Sequence, residues 1–347
     1  MNKNRDTLGN LGTLWSKGVD YPERFSHFAK HSQFAFSIYS ETGVSELMYG
    51  FKNDVPAQKR WEDFFDYVRT RKCPSVLISS EEFMRMGAHP KSAELLKNIV
   101  APVQSEFHFK IIAYLRQPDA HLRSWYNQLI KLKQSVPDFN RTVCDVMEPI
   151  HYDYALALKP WIDIFGEKAV IVRTYTEALR HDNALFKDFL AVLGIPDDGM
   201  NEGRWKVPNA GINPRLKGQF LELTRISQNL GLMVERSDWL KENLTKQMSS
   251  HRSDKNDGQS FSEIVARSRL GIETLKSNRH TATVAEFLED SPPSPDSDER
   301  SEFLNLVQLL MHENTVLRHR IFQNNSALSD RLTALENQLK TPRSDSK

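Results

Sequence analysis

An α/β fold built on a mainly parallel sheet flanked by helices is predicted by three features of the chain. Short apolar runs alternate with segments whose apolar residues recur every three or four positions, proline or glycine punctuates the joins, and strand signals stop after Pro208. These features divide the chain into an α/β domain over 1–200, a helical extension over 201–290, a disordered linker over 291–300 and a coiled-coil helix over 301–340.

The elements follow in order. Ala57 to Arg71 places Trp61, Phe64, Phe65 and Val68 at helical spacing, and Pro74 ends that period before the apolar run Val76 to Ile78. Lys91 to Val100 reads as a helix through Leu95, Leu96 and Ile99, followed by Pro102 and a strand over Phe107 to Leu115. Asp119 to Lys131 and Tyr154 to Phe165 are helical, the second stopped by Gly166 before a third strand over Ala169 to Val172. Asn183 to Leu193 is a further helix, ended by Gly194 and Pro196. Strands that alternate with helices in this way form parallel sheets covered on both faces.

After Pro208, Pro214 to Leu230 and Phe261 to Leu275 read as helices, joined by the polar stretch Ser249 to Gln259, a mobile loop. Ser291 to Arg300 (SPPSPDSDER) offers nothing to bury, hence the disordered linker. Beyond it, Leu304, Val307, Met311, Ile321, Leu328, Leu332, Leu335 and Leu339 fit one heptad frame, interrupted by Asn314, Arg318 and Asn325. That pattern fits a self-associating coiled coil or a long amphipathic helix docked on its own domain.

With 39% hydrophobic and 26% charged residues in a chain of 347, a large soluble core is feasible. A net charge of +1 provides no global field for nucleic acid or an anionic membrane, so any anion site must be local. Two cysteines, Cys73 and Cys144, cannot form a disulfide framework or a cysteine-rich zinc site. No metal is implied. The N-terminus lacks a signal-peptide core and no stretch approaches the length of a membrane span, so a cytoplasmic protein is expected.

The most informative segment is Ile111 to Lys131 (IIAYLRQPDAHLRSWYNQLIK), where a strand ends on Arg116 and Pro118 opens a helix that carries Ser124. Arginine at the carboxyl end of a parallel strand faces the crevice where open α/β sheets bind ligands, and its fork can grip a phosphate with two hydrogen bonds. Taken alone, the same spacing also suits an arginine that caps sheet carbonyls and a serine on a solvated helix face.

The strand, Arg116 and Ser124, followed by Tyr126-Asn127-Gln128, resemble the 3′-phosphate-binding motif of bacterial-type sulfotransferases. Asn4 to Leu8, Gly18 to Pro22, Val76 to Phe83, Tyr152 to Tyr154 with Trp161 and Phe165-Gly166, and Ile171 to Arg173 are similar to that family and fall in the same order. The resemblance covers roughly Asn4 to Arg215 and implies a P-loop NTPase-like sulfotransferase fold. It also implies the donor 3′-phosphoadenosine-5′-phosphosulfate (PAPS), whose 3′-phosphate Arg116 and Ser124 would bind, and a hydroxyl acceptor, carbohydrate or other small molecule.

Arg173, at the end of the third strand, is a further donor-site candidate or the partner of a carboxylate such as Glu177. Sulfuryl transfer needs in-line positioning and a base for the acceptor proton, and Glu81 is the candidate base. Glu81 fits equally a first-turn carboxylate behind a Ser80 cap, with His89 and His121 as rival bases.

Sulfotransferases also carry an N-terminal loop of the Lys-Thr/Ser-Gly-Thr-Thr kind for the 5′-phosphosulfate, and no such sequence occurs here. Gly9 to Gly12 with Lys17-Gly18 lacks the order of a nucleotide loop. The chain therefore reads as N-terminally truncated, starting about one strand, loop and turn late, through a misplaced start, a relic or a non-catalytic descendant. The rival function is a catalytically inactive oligomeric scaffold or nucleotide-binding relic. A nucleotide kinase is disfavoured because no Walker lysine is present.

Overall fold

The computed structural model describes residues 14, 17–26, 30–44, 51, 54–180, 184–196, 218–229, 260–278, 280–296 and 298–340. Asn4 to Leu8, Gly9 to Gly12 and Ser249 to Gln259, singled out above, lie outside the described residues. The chain divides into two compact units, one of 1–124, 147–215 and 260–294, the other of 125–146, 216–259 and 295–347.

The first unit is mixed α/β, mostly helical with short parallel sheets. Strand β1 (Val19–Asp20) pairs in parallel with β2 (Ser75–Val76), and β3 (Ile111–Leu115) pairs in parallel with β4 (Val170–Thr174). Among the described residues these are two separate pairs rather than one continuous sheet. The expected strand Val76 to Ile78 leaves the ladder early because Ser79 is drawn to His31: the His31 N–H donates to the Ser79 carbonyl at 2.8 Å. The Ser79 N–H in turn donates to His31 Nδ1 at 3.1 Å. The expected strand from Phe107 likewise starts late. Phe107 stacks on Phe65 at 5.9 Å and Phe109 packs on Phe165 at 4.9 Å, so these residues serve an aromatic core.

The helices of this unit are α1 (Ser32–Glu41), α2 (Ala57–Thr70), α3 (Pro90–Val100), the first half of α4 (Pro118–Lys131), α5 (Tyr154–Phe165) and α6 (Ala184–Val192). Five of these six match the periodicity of the sequence to within a residue or two; α1 was not anticipated. The core centres on Phe34 of α1, whose ring lies 4.9 Å from Trp61 and 5.2 Å from Phe64 of α2. A 3-10 helix over Glu81–Ala88 packs on α5, where Phe83 meets Trp161 edge-on at 5.7 Å.

That packing depends on Gly87 and Pro160. Pro160 lies inside α5 and has no N–H to return to the carbonyl four residues earlier, which belongs to Leu156. The freed carbonyl faces Gly87, where an added Cβ would sit 2.3 Å from the Leu156 oxygen. Asp153 caps α5 by accepting the Leu156 N–H at 3.0 Å. It also accepts a hydrogen bond from Arg267 of α8 (Phe261–Lys276) at 3.0 Å. Gly271 of α8 leaves room for that carboxylate, since a Cβ there would lie 2.7 Å from Asp153 Oδ1.

In the second unit, α7 (Gly218–Asn229) is fastened by buried polar contacts. Arg225 pairs with Glu222 at 2.7 Å, Tyr126 donates to Glu222 at 2.7 Å, and Asn229 donates to the Val136 carbonyl at 2.9 Å. The short helix α9 (Ala282–Glu289) returns to the first unit, packing on α8. The final helix α10 (Asp298–Lys340) is continuous through the expected heptads. Within the stretch expected as a linker, the Ser294 N–H and hydroxyl donate to Asp119 at 3.1 and 2.9 Å. No helix among the described residues is long and apolar enough to cross a membrane.

Gly87→Ala is expected to lower the unfolding free energy by about 1–3 kcal/mol, because the methyl meets backbone rather than a side chain that could turn away. Urea denaturation followed by tryptophan fluorescence measures it, and an unchanged midpoint would contradict the close approach.

Candidate functional site

The site is built around the carboxyl end of β3. Two backbone carbonyls emerge there, and both are satisfied from elsewhere: the Tyr175 N–H donates to Leu115 O at 2.7 Å, and the Tyr154 hydroxyl donates to Arg116 O at 2.7 Å. With the backbone so held, the half-buried Arg116 guanidinium lies 4.5 Å from the centre of the Tyr175 ring. No carboxylate among the described residues forms an ion pair with it. Asp119, the acidic residue of the first turn of α4, is engaged by Arg123 at 2.9 Å and by Ser294.

Ser124 lies on α4, about 9 Å of helix rise beyond Pro118. It shares a helix face with His121, three residues earlier. Ser124 is half-buried, and its hydroxyl makes no hydrogen bond to a described residue. Arg116 and Ser124 are thus both polar groups left available on consecutive elements.

Behind Arg116 lies a pair of histidines. His121 Nε2 is 3.0 Å from His151 Nδ1, with the rings stacked at 5.3 Å. Burial and the neighbouring Arg116 charge lower the His121 pKa to about 4, and burial with His121 beside it holds His151 well below the usual histidine range. Both rings are therefore neutral at pH 7, and one N–H donates between them. With its basicity lowered this far and its Nε2 engaged by His151, His121 is a poor rival for the general base.

The other candidates are held differently. Glu81 begins the 3-10 helix behind Ser80, whose hydroxyl accepts the Glu82 N–H at 3.1 Å, so the capping arrangement weighed above is present. The Glu81 side chain is 77% exposed and forms an ion pair with Lys30, which is only 14% exposed. Arg173 is paired with Asp188 rather than with Glu177, and Tyr114 also donates to Asp188 at 2.6 Å. His89 donates to Glu148 at 2.9 Å alongside a two-pronged Arg85 contact at 2.9 and 2.6 Å. Burial opposes the Glu148 charge, yet the hydrogen bonds from His89 and Arg85 outweigh it and bring its pKa to about 2. This cluster borders an open cleft of about 620 Å³ with Lys91 and Ser92 on its rim.

Sequence reasoning missed Tyr154, Tyr175 and Lys30 as parts of this region. Tyr175 could have been found as the first residue after β4, the strand that pairs with β3. The link between Lys30 and Glu81 spans 51 residues and carries no local signal.

No family model matches the chain. A relative from Archaeoglobus fulgidus, described as an uncharacterized protein, is 32% identical over 164 residues, covering 45% of this chain and 39% of the relative. The match therefore spans about two fifths of that relative's length. A solved sulfotransferase from Alicyclobacillus acidocaldarius aligns over 69% of this chain and 95% of its own, at 16% identity and a TM-score of 0.36. Agreement that loose establishes no residue correspondence.

The histidine pair makes stability depend on pH. Between about pH 6.5 and pH 4 the unfolded chain takes up protons that the folded rings refuse, so the unfolding free energy falls as the pH drops through this window. Urea curves at about pH 7.5 and about pH 5 should show a loss of roughly 1–3 kcal/mol that is smaller in His121→Asn. Equal slopes in the two proteins would remove the pair from this account. Glu148, whose pKa is lowered to about 2, adds a further loss that begins as the unfolded carboxyl takes up its proton near the ordinary carboxylate range and is complete only below the folded value.

Proposed function

We propose that the crevice at the end of β3 binds the 3′-phosphate of PAPS, in a sulfotransferase-like protein that transfers the sulfuryl group to a hydroxyl acceptor. The observation that carries the reading is Arg116: a half-buried arginine at a strand terminus, fixed by its stacking on Tyr175 and paired with no carboxylate among the described residues. An anion is the missing complement of such a group, and its fork suits a phosphate. Ser124, on the helix that follows the strand, is the proposed second donor. The resemblance of this turn to the family's 3′-phosphate motif supports the choice of ligand. Arg173, already engaged by Asp188, takes a secondary part at most in this reading.

Glu81 is the proposed base. Lys30 contacts Oε2, and the exposure of the side chain leaves it within reach of an acceptor. In the transfer, the acceptor oxygen attacks sulfur, the bond from sulfur to the 5′-phosphate oxygen breaks, and the acceptor proton passes to Glu81. That step requires a cradle for the 5′-phosphosulfate, which no Lys-Thr/Ser-Gly-Thr-Thr sequence in this chain provides. The proposal for these residues is therefore binding at the 3′ end, with transfer conditional on the cradle.

Calorimetric titration with adenosine 3′,5′-bisphosphate tests it. Arg116→Ala should weaken binding about 10–100-fold and Ser124→Ala less, as expected for loss of charge-assisted and neutral hydrogen bonds. Arg173→Ala should change it little. Equal affinity of the wild type and Arg116→Ala would overturn the assignment, and absence of binding to either would favour an inactive scaffold.

A further inference from the structure

We infer that the C-terminal part of α10 pairs with the same segment of a second copy as a parallel, two-stranded, in-register coiled coil. This rests on the tail alone and is independent of the proposed donor site. Residues 320–336 of the helix are all exposed. Ile321, Leu328, Leu332 and Leu335 are each more than half exposed, although they recur on one face at spacings of seven, four and three. The docked amphipathic helix weighed against the coiled coil would bury that stripe.

A solitary helix of this kind would not persist. Asn324, Asn325, Ser326, Ser329 and Thr333 are weak helix formers, and an isolated segment of about 20 residues is marginal in water even with good ones. A partner that covers the stripe removes both problems at once.

The occupant is identified by the polar positions. In the heptad frame with Leu332 at a and Leu335 at d, Asn325 occupies an a position, where a parallel dimer brings the two asparagines face to face so that their amides bond to each other. An antiparallel pair would set Asn325 against a d residue such as Leu328 and strand its amide. The frame also puts Arg331 at g and Glu336 at the e position five residues on. In a parallel in-register pair each Arg331 meets the partner's Glu336, giving two attractive contacts by symmetry. Two heptads earlier, the same geometry brings Leu317 against the partner's Phe322, the most exposed of these side chains. Arg318, at a, would face its own copy, and that repulsion marks the N-terminal limit of the seam.

Sedimentation equilibrium of the full chain is the test. A dimer is expected whose dissociation constant rises at least tenfold in the double variant Leu328→Asp/Leu335→Asp, while the near-UV signal of the tryptophans, none of which lies in α10, is unchanged. Arg331→Glu and Glu336→Arg should each weaken the dimer by roughly 3–10-fold, and an equimolar mixture of the two should restore it as a heterodimer. A monomer at all concentrations, a trimer, or a dimer indifferent to the leucine changes would overturn the inference. So would a mixture no tighter than the single variants.

Discussion

The end of β3 is a point where the chain must turn from strand to helix without leaving buried carbonyls unpaired. An orphaned carbonyl there would cost about 1–3 kcal/mol. Two tyrosines prevent it by different means, Tyr175 through its backbone N–H and Tyr154 through its hydroxyl. Both are supplied by neighbouring elements, β4 and α5, so the geometry of Arg116 is inherited from the parallel pairing and from the seating of α5. That seating depends in turn on Gly87, on the carbonyl freed by Pro160 and on the Asp153 cap braced by Arg267. A substitution far from Arg116 can therefore move it.

The charges in this unit follow a simple rule. Two guanidinium groups act on the histidine pair, Arg116 on His121 and Arg85 on His151. Protonating either ring would add a third cation to a poorly solvated region, which is why both remain neutral. Arg85 is offset by the ionised Glu148. Among the described residues Arg116, at the end of β3, meets the face of Tyr175 and no carboxylate, so of these two guanidinium groups it is the one whose charge is not neutralised.

The helices were legible because their apolar residues fall on one face. Trp61, Phe64 and Phe65 predict α2, and Leu158 and Trp161 predict α5. The helix α1 escaped notice for the converse reason. Seven of its ten residues, including Ser32 and Ser37, are buried, so no stripe distinguishes it. Strand limits were less legible, since Ile78 and Phe107 carry strand-forming side chains whose tertiary contacts draw the backbone off the ladder. At the candidate site, Arg116 and Ser124 were singled out by the resemblance of their strand–helix segment to a known motif, since their spacing alone also suits a structural arginine and a surface serine. Tyr154 and Lys30 were not, because each acts across 38 or more residues.

Arg225 and Arg116 show how the same side chain can have its charge answered within the fold or left unanswered. Arg225 is 3% exposed and is fully answered by Glu222, which Tyr126 also binds, so a ligand has nothing to supply there. Such a pair recovers the cost of burying its charges internally. Arg116 is less buried, so water can serve it in the free protein, yet its orientation is already fixed by stacking. Little side-chain freedom then remains to be lost when an anion arrives. An arginine held by an aromatic face and not by a carboxylate is preorganised without being neutralised, and that combination is what the proposed binding role asks of the strand end.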